Sequence, residues 1–154
     1  MIPRPAPADF TDWPALLDLL HVSFRYMEGL IDPPSSLHRL DAPGLAAKAR
    51  TEHLWIVDPP LVACAYFRET TEALYIGKLA VHPKMQGQGL GRALILAAEK
   101  LARDLGLPRL QLETRIELTD NHAVFARLGF AKTGEKVHEG FDRPTSITME
   151  KPLF

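Results

Sequence analysis

Glycines at positions 87, 89 and 91 stand between an apolar run ending in Leu79-Ala80-Val81 and a long amphipathic run, and this juxtaposition limits the fold more than any other feature. Alternating glycines are costly inside a helix or strand, but they let the backbone turn within a few residues. The run that follows is helical by its spacing. Leu90, Leu94, Ala97, Ala98, Leu101 and Leu105 share one face, and Glu99/Arg103 and Lys100/Asp104 form exposed pairs four apart. Gly106 and Pro108 end it. A helix that starts straight after a glycine turn presents its first N–H groups without intrahelical acceptors, backed by the positive end of the helix dipole. That arrangement suits an anion such as phosphate. Residues 109–114 then alternate Leu110 and Leu112 with polar side chains as a strand does, so strand, helix and strand imply a parallel crossover.

Two common phosphate-binding loops are excluded. No Lys-Ser/Thr pair follows the glycines, so the phosphate lysine and magnesium hydroxyl of a P-loop are missing. Counting Gly-x-Gly-x-x-Gly from Gly87 puts Arg92 at the last position, and from Gly89 it puts Leu94 there, so a dinucleotide fingerprint fails too. Eighteen Lys+Arg against nineteen Asp+Glu give a net charge of −1, which supplies no overall positive field for nucleic acid or anionic lipid. The expectation is therefore neither a nucleic-acid nor a membrane partner. The one cysteine, Cys64, lies in an apolar run and reads as a small buried hydrophobe rather than a nucleophile. With no internal disulfide, no apolar stretch of ~20 residues and a proline-rich start, a cytoplasmic location is expected. His21, His38, His53, His122 and His138 show no ligand spacing with Cys64 or the carboxylates, so no metal is expected, and His82 reads as a solvated turn residue.

The remainder fits an α/β domain spanning residues 1–154, with 46% hydrophobic residues and no internal repeat. Asp12-Trp13-Pro14 starts a helix whose apolar positions Trp13, Leu16, Leu17, Leu20, Phe24 and Met27 run on to Gly29. A shorter helix is expected over residues 41–50. Residues 53–57 and 61–67 read as strands of a hairpin closed by Asp58-Pro59-Pro60, and residues 73–81 as a third strand with a bulge or close approach at Gly77. A helix over 119–128 and strands over 130–137 and 146–151 complete the reading.

Gln86-x-x-Gly89-x-Gly91, placed after Leu79-Ala80-Val81-His82-Pro83 and before an amphipathic helix, closely resembles the acyl-CoA-binding motif of the GNAT superfamily of N-acetyltransferases. The segment Asn121-His122-Ala123-Val124-Phe125-Ala126-Arg127-Leu128-Gly129-Phe130 is similar to that family's asparagine-bearing helix and Leu-Gly-Phe strand entry. The resemblance implies a mixed central sheet of six or seven strands flanked by about four helices. It also implies acetyl-CoA as cosubstrate, a primary amine of a small molecule or peptide as acceptor, and direct attack within a ternary complex. A homodimer would follow the family's habit. In that frame the backbone amides of Gln86, Gly87, Gln88, Gly89, Leu90, Gly91 and Arg92 hold the coenzyme pyrophosphate. The pantetheine arm lies along Leu79, Ala80 and Val81, with an amide near Leu79 or Ala80 meeting the thioester carbonyl, and Asn121 and Phe125 flank the arm.

Two positions depart from the family pattern. Where many members carry a glutamate base in the fourth strand this chain has Tyr75, and Glu113 on the next strand is the replacement candidate. Where many members carry a tyrosine to protonate the departing thiolate this chain has Phe125, which leaves Tyr26 as the substitute donor. A thiol pKa of ~8.5 makes the thiolate a tolerable leaving group in either case. The loops over 28–36 and 138–146 are the expected acceptor pocket, with Glu28 and Asp32 (beside Glu139 and Asp142) drawing in a cationic amine and Arg143 available for a carboxylate. Two alternatives remain open at this level: a coenzyme A-binding regulatory domain with little catalysis, and transfer of a different acyl group.

Overall fold

A computed structural model describes residues 1–154. Seven strands form one sheet in the order β1-β2-β3-β4-β5-β7-β6: β1 (Arg4–Pro5), β2 (His53–Val57), β3 (Ala63–Glu69), β4 (Leu74–Val81), β5 (Arg109–Arg115), β6 (Ala131–Lys136) and β7 (Ser146–Pro152). The four helices are α1 (Trp13–Phe24), α2 (Ala42–Ala49), α3 (Leu90–Asp104) and α4 (Thr119–Arg127). Every neighbouring pair is antiparallel except β4 and β5, which the α3 crossover makes parallel. The mixed sheet and four helices match the expected α/β architecture.

Apolar residues on the two sides of the sheet form two clusters. Leu74, Ile76, Leu110 and Leu112 pack with Leu94, Ile95 and Ala98 of α3, while Leu54, Ile56, Cys64 and Tyr66 pack with Leu16 and Leu20 of α1 and Leu45 of α2. Asp12 and Asp41 cap α1 and α2 by accepting from Ala15 N and Gly44 N. The buried Tyr66 hydroxyl donates to Leu45 O at 3.0 Å and ties α2 to the sheet.

Four local readings change. The first helix ends at Phe24, not near Gly29, and a short turn of 3-10 helix over Arg25–Met27 carries the chain toward α4. Glu99 is not half of an exposed pair: α3 turns it inward, where its carboxylate meets Lys151 Nζ at 2.9 Å, because the sheet covers a wider face than the apolar stripe marks. Leu105, beyond the last helical turn, is 40% exposed. The strand irregularity is not at Gly77, which stays in register opposite Tyr66. The pairing then skips from Tyr66↔Gly77 to Cys64↔Ala80, so Lys78 and Leu79 face one residue of β3, with Lys78 at φ 51. The two-residue β1 carries no apolar alternation and is visible only through its partners. Pro5 sits on the sheet edge, where proline is tolerated, and Arg4 Nε donates to Asp58 Oδ1 at 2.9 Å.

Candidate active site

The site begins where β4 and β5 part. They pair only at Leu74↔Leu110 and Tyr75↔Gln111, although β4 continues to Val81 and β5 to Arg115. The bulge at Lys78 and Leu79 bends β4 just beyond the last pair, which opens a wedge between two parallel strands. On the far side of the bulge the chain turns through His82, whose Nδ1 accepts from Lys84 N at 3.1 Å and whose carbonyl accepts from Met85 N at 2.8 Å. Gln86 Nε2 reaches back to Val81 O at 3.4 Å.

From there the backbone amides have no protein partner. None of the N–H groups of residues 86–92 donates a hydrogen bond within the chain, and the first to do so is Ala93, to Gly89 O at 2.9 Å. Gly87 and Gly89 adopt φ 81 and 82, a conformation that L side chains rarely enter, and open space lies where a Cβ would stand. The cradle therefore consists of oriented amides at the start of α3 with room above them for an anion.

This cradle is one end of a cavity of about 1000 Å³. Leu79, Ala80 and Val81 form its floor, Gln86, Gly87, Gly89, Leu90, Gly91 and Arg92 its cradle end, and Asn121 and Phe125 of α4, with Leu128 just beyond it, one wall. Residues 22–26, at the end of α1 and in the following turn, close it from above. Gln88 alone of the run does not line it. A second cavity of about 560 Å³ lies on the other side of the wedge, lined by Tyr75, Lys78, Glu113, Thr114 and Arg115 among others. The two meet at Phe24, Tyr26, Leu79, Asn121 and Phe125, which line both. At that junction Asn121 Nδ2 donates to Tyr26 Oη at 3.0 Å, linking the turn after α1 to α4.

Residues 13–130 match the acetyltransferase (GNAT) family. The chain belongs to the GNAT family of acetyltransferases. It is 33% identical over 144 residues to an IAA acetyltransferase of Azospirillum brasilense, covering 90% of this chain and 91% of that one. It is also 37% identical over 71 residues to an aminoglycoside N(6')-acetyltransferase type 1 of Stenotrophomonas maltophilia, 44% of this chain and 46% of the other. Among solved structures, the PaiA N-acetyltransferase of Thermoplasma acidophilum in complex with coenzyme A superposes with a TM-score of 0.79 at 15% identity, covering 99% of each chain. A GNAT family acetyltransferase of Elizabethkingia anophelis with acetyl-CoA bound gives 0.69 at 19% identity over 98% of this chain and 97% of that one. These two likenesses establish the shared fold.

Within the GNAT frame the two departures have definite surroundings. Tyr75 is half-buried beneath Arg68, whose guanidinium carbon lies 4.8 Å from the ring centre, and burial together with the nearby Glu113 carboxylate pushes its phenol up to about 12. It stays protonated at neutral pH and cannot serve as a base. Glu113 lines the same cavity and accepts from Lys136 Nζ at 2.5 Å. Phe125 packs edge-on against Phe130 with ring centres 5.9 Å apart. Cys64 is fully buried, and desolvation pushes its thiol up to about 12, which makes it inert as a nucleophile.

The expected acceptor residues are distributed differently. Asp32 and Arg143 pair with each other at 3.2 Å, and Asp32 N donates to Glu117 Oε2 at 3.1 Å. Glu28 lines a separate cavity of about 230 Å³ with His21 and His38, and none of Glu28, Asp32 and Arg143 lines the cavity that holds Tyr75 and Glu113. The two expected loops do reach that cavity, through Pro33, Pro34, Ser35 and Ser36 and through His138, Glu139 and Ser146, and beside them stand residues with no local signal in the sequence: Arg39, Lys48, Lys78, Thr114 and Arg115. They converge through the wedge. No group of three or more His, Cys, Asp or Glu side chains is arranged to hold a metal ion.

Proposed function

We propose that this acetyltransferase moves the acetyl group of acetyl-CoA to the primary amine of a small molecule, by direct attack within a ternary complex. The observation that carries the reading is the run of unpartnered amides over residues 86–92, at the head of a cavity that opens through the wedge onto a second one. The cradle fits a pyrophosphate: it offers directed N–H donors, a helix N-terminus, left-handed glycines and a neighbouring cation in Arg92. Leu79 and Ala80 line the floor where strand pairing to β5 has ended, so the edge of β4 is available to the amide-rich coenzyme arm as a substitute strand. Bound acetyl-CoA supplies an activated acyl group at the junction of the two cavities.

The chain's own groups have these roles. An N–H near Leu79 or Ala80 donates to the thioester carbonyl oxygen. Glu113 takes the proton from the incoming ammonium, and the protonated Tyr75 hydroxyl beside it acts only as a hydrogen-bond donor. Tyr26, held by Asn121 where both cavities meet, donates a proton to the departing sulfur. The inert Cys64 favours direct attack over a cysteine acyl-enzyme.

Thermal unfolding with and without coenzyme A and acetyl-CoA tests the cofactor. A ligand at about 100 times its Kd adds about 2.7 kcal/mol to apparent stability, an upward shift of several degrees. Amine-dependent release of free thiol then tests transfer. No shift at millimolar ligand refutes the cradle. A shift without thiol release on any amine favours the second reading, a coenzyme-binding regulatory domain, for which Tyr75 and Phe125 in place of the family's usual acid–base groups speak.

A further inference from the structure

The acceptor cavity carries an excess of positive charge in a chain whose net charge is −1. Arg39, Lys48, Lys78 and Arg115 line it against the carboxylates of Glu113 and Glu139. Two of the four cations are engaged at once. Lys48 Nζ binds Glu52 Oε2 at 2.8 Å, and the Arg115 guanidinium donates to Pro33 O at 2.6 Å and Pro34 O at 3.1 Å, with the Glu117 and Asp32 carboxylates nearby. Glu113 is already matched by Lys136. Arg39 and Lys78 have neither an ion pair nor a side-chain hydrogen bond.

Lys78 is the unusual one. It occupies the β4 bulge at φ 51, its carbonyl accepts from Cys64 Sγ at 3.4 Å, and its side chain is half-buried. Burial, and Lys48 nearby, hold its ammonium below the ordinary lysine range against the weaker opposite pull of the Glu52 carboxylate, which is itself paired with Lys48. A left-handed, half-buried lysine with no anion of its own is costly for folding alone, and an anion from outside the chain would offset that cost. Leftover donors in the pocket of an acetyltransferase indicate the part of the acceptor that is not the amine.

We infer that the acceptor of this enzyme is an amine that also bears an anionic group, a carboxylate or a phosphate, held by Lys78 with Arg39. The inference rests on the proposed acetyl transfer and adds the class of acceptor to it. The carboxylate-binding role anticipated for Arg143 passes to Lys78, since Arg143 is spent on Asp32 outside this cavity.

The test uses four matched probes: γ-aminobutyrate, its carboxamide, aminopropyl phosphate and putrescine. Each is titrated calorimetrically into the coenzyme A-loaded protein and assayed for thiol release with acetyl-CoA. The expected result is a preference of about tenfold or more for one of the anionic probes over the carboxamide and putrescine, the difference a charge-assisted hydrogen bond supplies. Which anionic probe leads identifies the group as carboxylate or phosphate. In Lys78→Gln, and to a lesser degree in the surface variant Arg39→Gln, that ratio falls toward one. Equal or better handling of the carboxamide or putrescine by the wild type overturns the inference while leaving acetyl transfer intact. A Lys78→Gln variant that loses all probes in the same proportion also overturns it, since the lysine would then serve folding or proton transfer. Failure of the underlying reading is seen separately, as absence of both a coenzyme A thermal shift and thiol release.

Discussion

Replacing Gly89 by alanine separates two things a left-handed glycine does at the head of α3. Gly89 stands at φ 82 with no atom within 4 Å of where a Cβ would be, so the new methyl group meets no neighbour and the cost is conformational. That cost is about 1–2 kcal/mol for an L residue, and in a chain of this size about 2–4 °C of Tm per kcal/mol, giving a fall of about 2–8 °C. Gly106, at φ 74 just past the other end of α3 and equally free of neighbours, supplies the matched control. Gly106→Ala should lose the same stability. Only Gly89→Ala relaxes the turn whose amides face the cavity, and losing one amide bond to a charged phosphate, about 1.5–3 kcal/mol, raises the Kd for coenzyme A tenfold to about a hundredfold. Calorimetric titration and thermal unfolding of the two variants read both quantities. Equal Tm losses with unchanged Kd in Gly89→Ala would refute the amide cradle. A Kd raised equally in Gly106→Ala would show that affinity merely follows global stability.

Three further outcomes follow from the side chains. Glu99→Ala strands the Lys151 ammonium against α3, and with side-chain exposures of 8% and 25% the pair lies between surface and fully buried cases, so a loss of about 2 kcal/mol is expected by denaturant titration. The double variant Glu99→Leu/Lys151→Met should recover most of it, and no recovery would contradict the account. The hydrogen bond from Arg4 holds the Asp58 carboxyl below the ordinary carboxylate range, so the pair contributes stability at neutral pH. That contribution declines as pH falls through the ordinary carboxylate range and is gone below the depressed folded value. The Tm gap between wild type and Asp58→Asn should therefore close on acidification, and a gap that widens would reverse the sign. Tyr26→Phe should lower kcat about tenfold or more with little change in KM for acetyl-CoA, while an equal loss in KM would assign the hydroxyl to coenzyme binding rather than to protonation.

Elements set by local chain chemistry were legible in the residues themselves. The α3 stripe, the capping aspartates, the alternation in β5 and the glycine turn each repeat or punctuate at short range, and unpaired amides at a helix start are a property of the first turn wherever the helix lies. The cradle was readable for that reason. What the sequence missed depends on partners far along the chain. β1 exists because β2 offers it an edge, the glycine at position 77 gave no clue that the bulge falls on Lys78, and Glu99 changes from a surface charge to an interior ion because Lys151 arrives from the last strand.

By itself, then, the order of residues determined the layered α/β arrangement and an anion cradle of backbone amides, since both arise from periodicity and turn chemistry within a few residues. Only the tertiary structure decided which charges confront the acceptor. Asp32 and Arg143 meet across 111 positions and cancel, Glu113 meets Lys136, and Lys78 is left facing the cavity without a partner. Charge pairing depends on distance in space and on burial, and the spacing of residues along a chain encodes neither.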